Sequence, residues 1–317
     1  MKKLIIVFSE FLLITIFIHC LIVIFLYKTN SSVLSSNIPK KEQRRFGFTA
    51  RKLEDFNSVK STDILVLGSS LGFRNYDPDF LSKNGFSSFS LGTSSQKPNM
   101  TYVMAKKYLK KINPKLVIVD VNPYLMLTPD SFETTDLIIN SQKSLHDFDL
   151  FWTAPSMMAL NAIIIKYTGF AEKDRLEKIK DSVSDKKDNY LGNGFVGSEE
   201  IYNEAQKIPK IKIKNYHPIK SQTESFQNLI ELLKKEKIPY LLVLSPLNEK
   251  YFKRNLIGAD HFRNISKIYF SKYGNYIDSN NLEKYNTSDF MDFSHLNNNG
   301  AEKLTRSLLP FLKKYQK

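Results

Sequence analysis

Two segments of this 317-residue chain carry residues that could do covalent chemistry together. One is Gly68-Ser69-Ser70, directly after the apolar run Ile64-Leu65-Val66-Leu67; the other is Asp292-Phe293-Ser294-His295. A serine hydroxyl is a weak nucleophile at neutral pH. It becomes a strong one when an imidazole takes its proton and a carboxylate orients that imidazole from its other ring nitrogen. The chain has five histidines, and only His295 has an acid three positions before it. Separately, each segment has a plainer reading. Gly-Ser-Ser is common in turns, and Asp-x-x-His is also a surface pair at a helix start. Together they predict acyl transfer, with Ser70 as nucleophile, His295 as base and Asp292 as the acid that orients it. No cluster of further ligand residues suggests a metal site, and no cofactor is expected.

The surrounding elements must bring these segments together. Short aliphatic runs predict five strands, around residues 64, 87, 118, 241 and 277. Helical patterns alternate with them at Asn99–Lys111, Ser221–Lys235 and Ala301–Lys314, and Asp77-Pro78 reads as a capped helix start. That rhythm predicts an α/β three-layer sandwich with a five-stranded parallel sheet. Ser69 and Ser70 then lie on the turn leaving the carboxyl end of the first strand, where such sheets bind ligands. Asp292 and His295 follow the last strand, and a helical turn between them would let the carboxylate reach the ring. The rhythm breaks between Pro123 and Pro218. His146–Tyr167 is helical and apolar, residues 171–188 are charged, and Gly192–Gly197 is rich in turn residues. This stretch, about 124–217, is expected to be an insertion that roofs the site. Its aromatic and methionine content reads as packing.

From about Asp63 to the C-terminus the sequence resembles the SGNH (GDSL-like) serine hydrolase superfamily. The first block is Leu67-Gly68-Ser69-Ser70, which makes Ser70 the nucleophile by position. Ser90-Leu91-Gly92 matches the second block, whose glycine N–H serves the oxyanion hole. Asn122, after the strand Leu116–Val121, stands where the third block offers an asparagine side chain. Val121-Asn122-Pro123 departs from the family's Gly-x-Asn-Asp. Asp292 and His295 match the final block. The resemblance implies a flavodoxin-like strand order and an oxyanion hole built from Ser70, Gly92 and Asn122. Its membrane-anchored branch modifies envelope polysaccharides, peptidoglycan or teichoic acid. It therefore implies an esterase or O-acyltransferase acting on an envelope glycan or polymer, with a membrane acyl-donor protein as a partner. A non-catalytic envelope-assembly or binding protein that keeps the fold is the rival reading. Gly68-Ser69-Ser70-Leu71-Gly72 also fits the nucleophile elbow of α/β-hydrolases. That fold needs several strands before its serine, and the chain has no room for them there.

Leu4–Tyr27 is a 24-residue apolar run behind Met1-Lys2-Lys3, long enough to span a bilayer and without a small-x-small cleavage site after it. It reads as an uncleaved signal anchor over residues 1–28, followed by a juxtamembrane spacer (29–61) and the catalytic domain (62–317). Lys28, Lys40, Lys41, Arg44 and Arg45 rival the positive charge on the near side, so charge does not set the orientation. The resemblance places the protein in the inner membrane with its domain outside the cytoplasm. Cys20, the sole cysteine, lies in the anchor, which excludes a disulfide or cysteine chemistry in the domain. The net charge is +14, from 38 Lys and 8 Arg against 32 acids. No nucleic-acid-binding pattern accompanies it, and the lysines are spread along the chain, so a solvated surface is expected. Arg74, one helical turn from Ser70, is the basic residue placed to bind a substrate carboxylate or phosphate, with a structural ion pair as its alternative.

Overall fold

The computed structural model describes residues 1–29, 48–129, 132–170, 172, 187–203, 216–249 and 258–316. Its strands are β1 Ile64–Leu67, β2 Ser88–Ser90, β3 Leu116–Asp120, β4 Asn189–Gly192, β5 Phe195–Gly197, β6 Tyr240–Leu244 and β7 Tyr276–Asp278. β1, β2, β3, β6 and β7 pair in parallel in the order β2-β1-β3-β6-β7. Counting only these five, the order is 2-1-3-4-5, the flavodoxin-like doubly wound arrangement. β4 and β5 form a separate antiparallel hairpin.

Alternation along the strands divides the core into two faces. Leu65, Leu67, Val117, Val119 and Leu242 pack with the helices Pro98–Ile112 and Lys220–Lys235. Ile64, Val66, Leu116, Ile118, Leu241 and Val243 pack with the final helix, Asn298–Leu312. Because helices cover both faces, all four residues of β1 are buried, and the strand reads as an uninterrupted apolar run. Local signals set the helix ends. Asp77 accepts from the Asp79 and Phe80 N–H groups ahead of Pro78–Lys83. Asn297 accepts from Gly300 N–H to start the final helix.

Two expected features differ from the structure. Residues 48–61 are not a spacer. Thr49–Ser58 is an amphipathic helix whose Ala50, Lys52, Leu53 and Phe56 are buried in the domain. Residues 30–47 lie outside the described residues. The described helices of the insertion, Phe132–Asn140, His146–Thr153 and Met157–Tyr167, do not roof the site. They form an extra layer on the face covered by Pro98–Ile112, and pack on that helix, on Thr49–Ser58 and on the N-terminal helix. The apolar stretch expected to be one helix breaks at Ala154-Pro155-Ser156, where proline cannot continue the ladder and Ser156 caps the next helix. Most of the charged stretch, residues 173–186, lies outside the described residues.

Lys2–Thr29 is one helix, long and apolar enough to cross a membrane by length and composition, as a single-pass anchor or a signal sequence would be.

Candidate active site

β1 delivers the serine. Gly68, at φ +150°, makes a turn that a side chain would obstruct, since a Cβ there would lie 2.9 Å from Asp120 Cβ. Ser69 then caps a short helix, Ser70–Arg74, so Ser70 is the first helical residue. This turn adjoins the end of β3. The sheet's order reverses between these two strands, which opens a crevice at their carboxyl ends.

The histidine arrives on a tight loop rather than a helical turn. Phe290 and Leu296 form a bridge, and Met291 N–H donates to the His295 carbonyl at 3.0 Å. Inside that loop, Asp292 Oδ1 accepts from the N–H groups of Ser294 (2.7 Å) and His295 (2.8 Å). Its other oxygen lies 2.7 Å from His295 Nδ1. The same imidazole's Nε2 lies 2.8 Å from Ser70 Oγ. Ser70, His295 and Asp292 thus form one continuous hydrogen-bonded chain. Burial alone would raise the Asp292 pKa. The positive charge His295 can carry, with hydrogen bonds from His295 and Ser294, outweighs burial and holds the carboxyl well below the usual carboxylate range. An ionised Asp292 fixes the Nδ1–H tautomer and leaves Nε2 free to accept the serine proton.

A cavity of about 330 Å³ opens beside Ser70 and His295. Its apolar wall is Leu71, Tyr124, Leu125, Leu244, Pro246, Leu247, Phe262 and Phe293, and Ser95, Asn122, Ser245 and Asn248 add polar groups. From the insertion, Tyr124 and Leu125 are the described residues that reach it. Ser95 is in the left-handed region, at φ +49°.

The expected oxyanion donors are not placed alike. Asn122 lines the cavity; its Oδ1 accepts from Tyr124 N–H at 2.9 Å, which leaves its NH₂ as the donor end. Gly92 does not line the cavity. Its N–H donates to Ser90 Oγ at 3.2 Å, and the residue is wedged under the nucleophile turn, where a Cβ would lie 2.6 Å from the Ser69 carbonyl oxygen. Arg74 takes the alternative reading. Its guanidinium is buried, bonds Asp188 at 2.6 Å and is absent from the cavity wall.

Three supporting groups have no signal near the sequence motifs. Lys52 is 1% exposed and donates from Nζ to the Gly92 carbonyl at 2.6 Å, with its ammonium 3.6 Å from the Phe73 ring centroid. Burial holds its pKa well below the usual lysine range; Arg74 adds to this and Asp136 opposes it. Asp120, behind Gly68, accepts on Oδ2 from Tyr76 Oη (2.8 Å) and from Ser245 Oγ. Burial raises its pKa to about 7, with both hydrogen bonds opposing. Asn75 Nδ2 donates to Ser245 Oγ at 3.0 Å, and Asn75 Oδ1 accepts from Leu296 N–H at 3.3 Å. This buried network ties the ends of β3 and β6 to the nucleophile helix and to the residue after His295. Only the alternation of apolar strand and terminal polar residue, as in Val119-Asp120 and Leu244-Ser245, marked its members in the sequence.

The fold is thus a doubly wound α/β sandwich with a Ser–His–Asp chain at its switch point. No protein-family model and no curated protein sequence matches the chain. Among solved structures it is similar to a Bacteroides fragilis protein assigned as an acylhydrolase, at 12% identity and TM-score 0.41 over 84% of this chain and 96% of that one. It is also similar to a GDSL-like lipase from Bacteroides thetaiotaomicron, at 11% identity and TM-score 0.39 over 84% and 98%.

Proposed function

We propose that this protein is a membrane-anchored serine esterase or O-acyltransferase of the SGNH type, acting on acyl esters of a cell-envelope glycan or polymer. The observation that carries the reading is the continuous chain Ser70 Oγ–His295 Nε2 (2.8 Å) and His295 Nδ1–Asp292 Oδ2 (2.7 Å), opening on a largely apolar cavity. Ser70 Oγ attacks the ester carbonyl as His295 Nε2 takes its proton. Asp292 stabilises the imidazolium and keeps it aimed. The tetrahedral oxyanion is held by Asn122 Nδ2 and the Ser70 N–H. His295 then protonates the departing alcohol, leaving an acyl group on Ser70 that the apolar wall covers. Water as second nucleophile yields the free acid and an esterase. A sugar or polymer hydroxyl yields a new ester and a transferase. His295 serves either acceptor as the base. The apolar helix at residues 2–29 supports a single-pass anchor. The inner membrane, a domain outside the cytoplasm and a membrane acyl-donor partner belong to the proposal through the family resemblance alone.

The test is labelling of the full-length protein by a fluorophosphonate, with turnover of a short-chain aryl ester beside it. Wild type should label and turn over. Ser70→Ala and His295→Ala should each abolish both, and the double variant should be no worse than either, because residues that act as one unit are not additive. Equal residual activity in all four proteins would leave a binding protein with an enzyme's fold.

A further inference from the structure

The N-terminal helix does not stand clear of the domain. Val23 and Tyr27 are buried in the core cluster that includes Ala159, Ala162 and Ile163 of the helix Met157–Tyr167. His19 Nε2 lies 2.9 Å from Asn161 Oδ1, and Lys28 Nζ lies 4.2 Å from the Phe170 ring centroid. Both contacts join positions 142 apart in sequence, so the two helices run side by side in the same direction and in constant register. Met157 is therefore level with Thr15, and Lys166 with Ile24.

That register conflicts with a fully water-exposed domain. A hydrocarbon core of about 30 Å takes about 20 helical residues at about 1.5 Å each. Whichever 20 of Leu4–Tyr27 are inside, Thr15 lies at least eight residues, about 12 Å, short of the boundary nearest the domain. Met157 and the turn before it would lie at that depth.

Composition changes at the matching level. From Leu150 to Ile165 there is no charged residue. The tip exposes Trp152 (72%) and Met157 (49%). Charge resumes at the other end of the helix pair, where Lys166 and Asp147 form a buried ion pair at 2.7 Å. There Tyr167 Oη donates to the Ser144 carbonyl, and Phe148 packs on the Tyr167 ring at 5.6 Å between centroids. A half-exposed tyrosine at such a level is what a bilayer interface favours.

We propose that the helix pair 146–167 is a wedge in the lipid bilayer, with the Trp152–Met157 tip in the acyl chains of the leaflet facing the domain and Phe148 and Tyr167 in its headgroups. The wedge rests on the anchor reading of residues 2–29. It would fix the domain's tilt and its distance from the membrane, where a lone helix would leave both free. Lipid is the occupant that the register itself supplies, since the anchor carries the tip down with it.

Trp152 is the only tryptophan, so emission excited selectively from tryptophan reports on this tip alone. The full-length protein would be reconstituted into phosphatidylcholine–phosphatidylglycerol vesicles, with and without acyl-chain-brominated lipid. Flotation after alkaline wash scores the anchor independently. The expected result is flotation, blue-shifted emission, loss of most of the signal to brominated lipid and little loss to aqueous acrylamide. Flotation with acrylamide-quenched emission that ignores brominated lipid would overturn the wedge and leave the anchor, as it would if a protein partner covers this face in the cell. Failure to float would overturn both.

Discussion

Asp120→Asn isolates how the buried network beneath the serine turn responds to pH. The amide keeps the shape and an acceptor for Tyr76 and Ser245 but no longer titrates. In the folded protein, burial raises Asp120 to about 7 from a usual value of 3.8. Between these values the folded chain keeps a proton that the unfolded chain has released. Wild-type stability attributable to this group therefore falls as pH rises through that window and is level above it. The separation corresponds to about 4 kcal/mol, of which about 3 kcal/mol falls between about pH 5 and about pH 8. Urea unfolding of both full-length proteins in detergent, at those two pH values, gives the comparison. Asp120→Asn should gain on wild type by about that amount at the higher pH, because all other carboxylates cancel in the difference. A wild-type–variant difference that stays constant with pH would mean that Asp120 is ionised throughout, and the reasoning from burial would fail.

Three further outcomes follow from the site. Asn122→Ala should lower aryl-ester turnover about 100- to 1000-fold with the fold intact, and Asn122→Asp, which keeps the cap on Tyr124 but lacks the NH₂ donor, should lose at least as much because its carboxylate also repels the oxyanion. A loss under about threefold would leave backbone N–H groups as the oxyanion hole. Gly92→Ala places a Cβ 2.6 Å from the Ser69 carbonyl, so thermal unfolding should report a loss of about 1–3 kcal/mol and turnover should fall as the serine turn is displaced. Lys52→Met removes the donor that holds the Gly92 carbonyl. Since Lys52 is depressed below the usual 10.5, wild type should gain stability over the variant as pH rises towards that value, and a pH-independent difference would refute the lowered Lys52 pKa.

Much of the architecture is written locally. Fully buried parallel strands must be short aliphatic runs, and Ile64–Leu67, Leu116–Asp120 and Tyr240–Leu244 are legible as such. Caps such as Asp77 and Asn297 act over three residues, so helix starts are legible too. The same holds for Ser70 and for the Asp292–His295 pair, whose members sit on strand-end loops in sequence as in space. What the sequence could not show are contacts whose partners lie far along the chain. Arg74 reads either as a substrate-binding cation or as half of a structural ion pair, and the choice is made only when Asp188, 114 positions away, is folded against it. Residues 48–61 read as the end of a spacer, despite an amphipathic stretch around Phe46 to Phe56, because the loop against which the helix Thr49–Ser58 buries that stripe, and Lys52, lies 40 positions on. Gly92 looks like a donor into the site, yet its N–H turns to Ser90, and its missing side chain makes room for Ser69. The insertion was expected over the site, but its helices cover the far side of Pro98–Ile112, where the N-terminal helix also docks. Hydrophobic period and capping chemistry are short-range and survive in the linear sequence. The direction in which a side chain is satisfied, and the face on which an apolar segment is buried, depend on which surfaces the sheet brings together, and only the tertiary structure decides that.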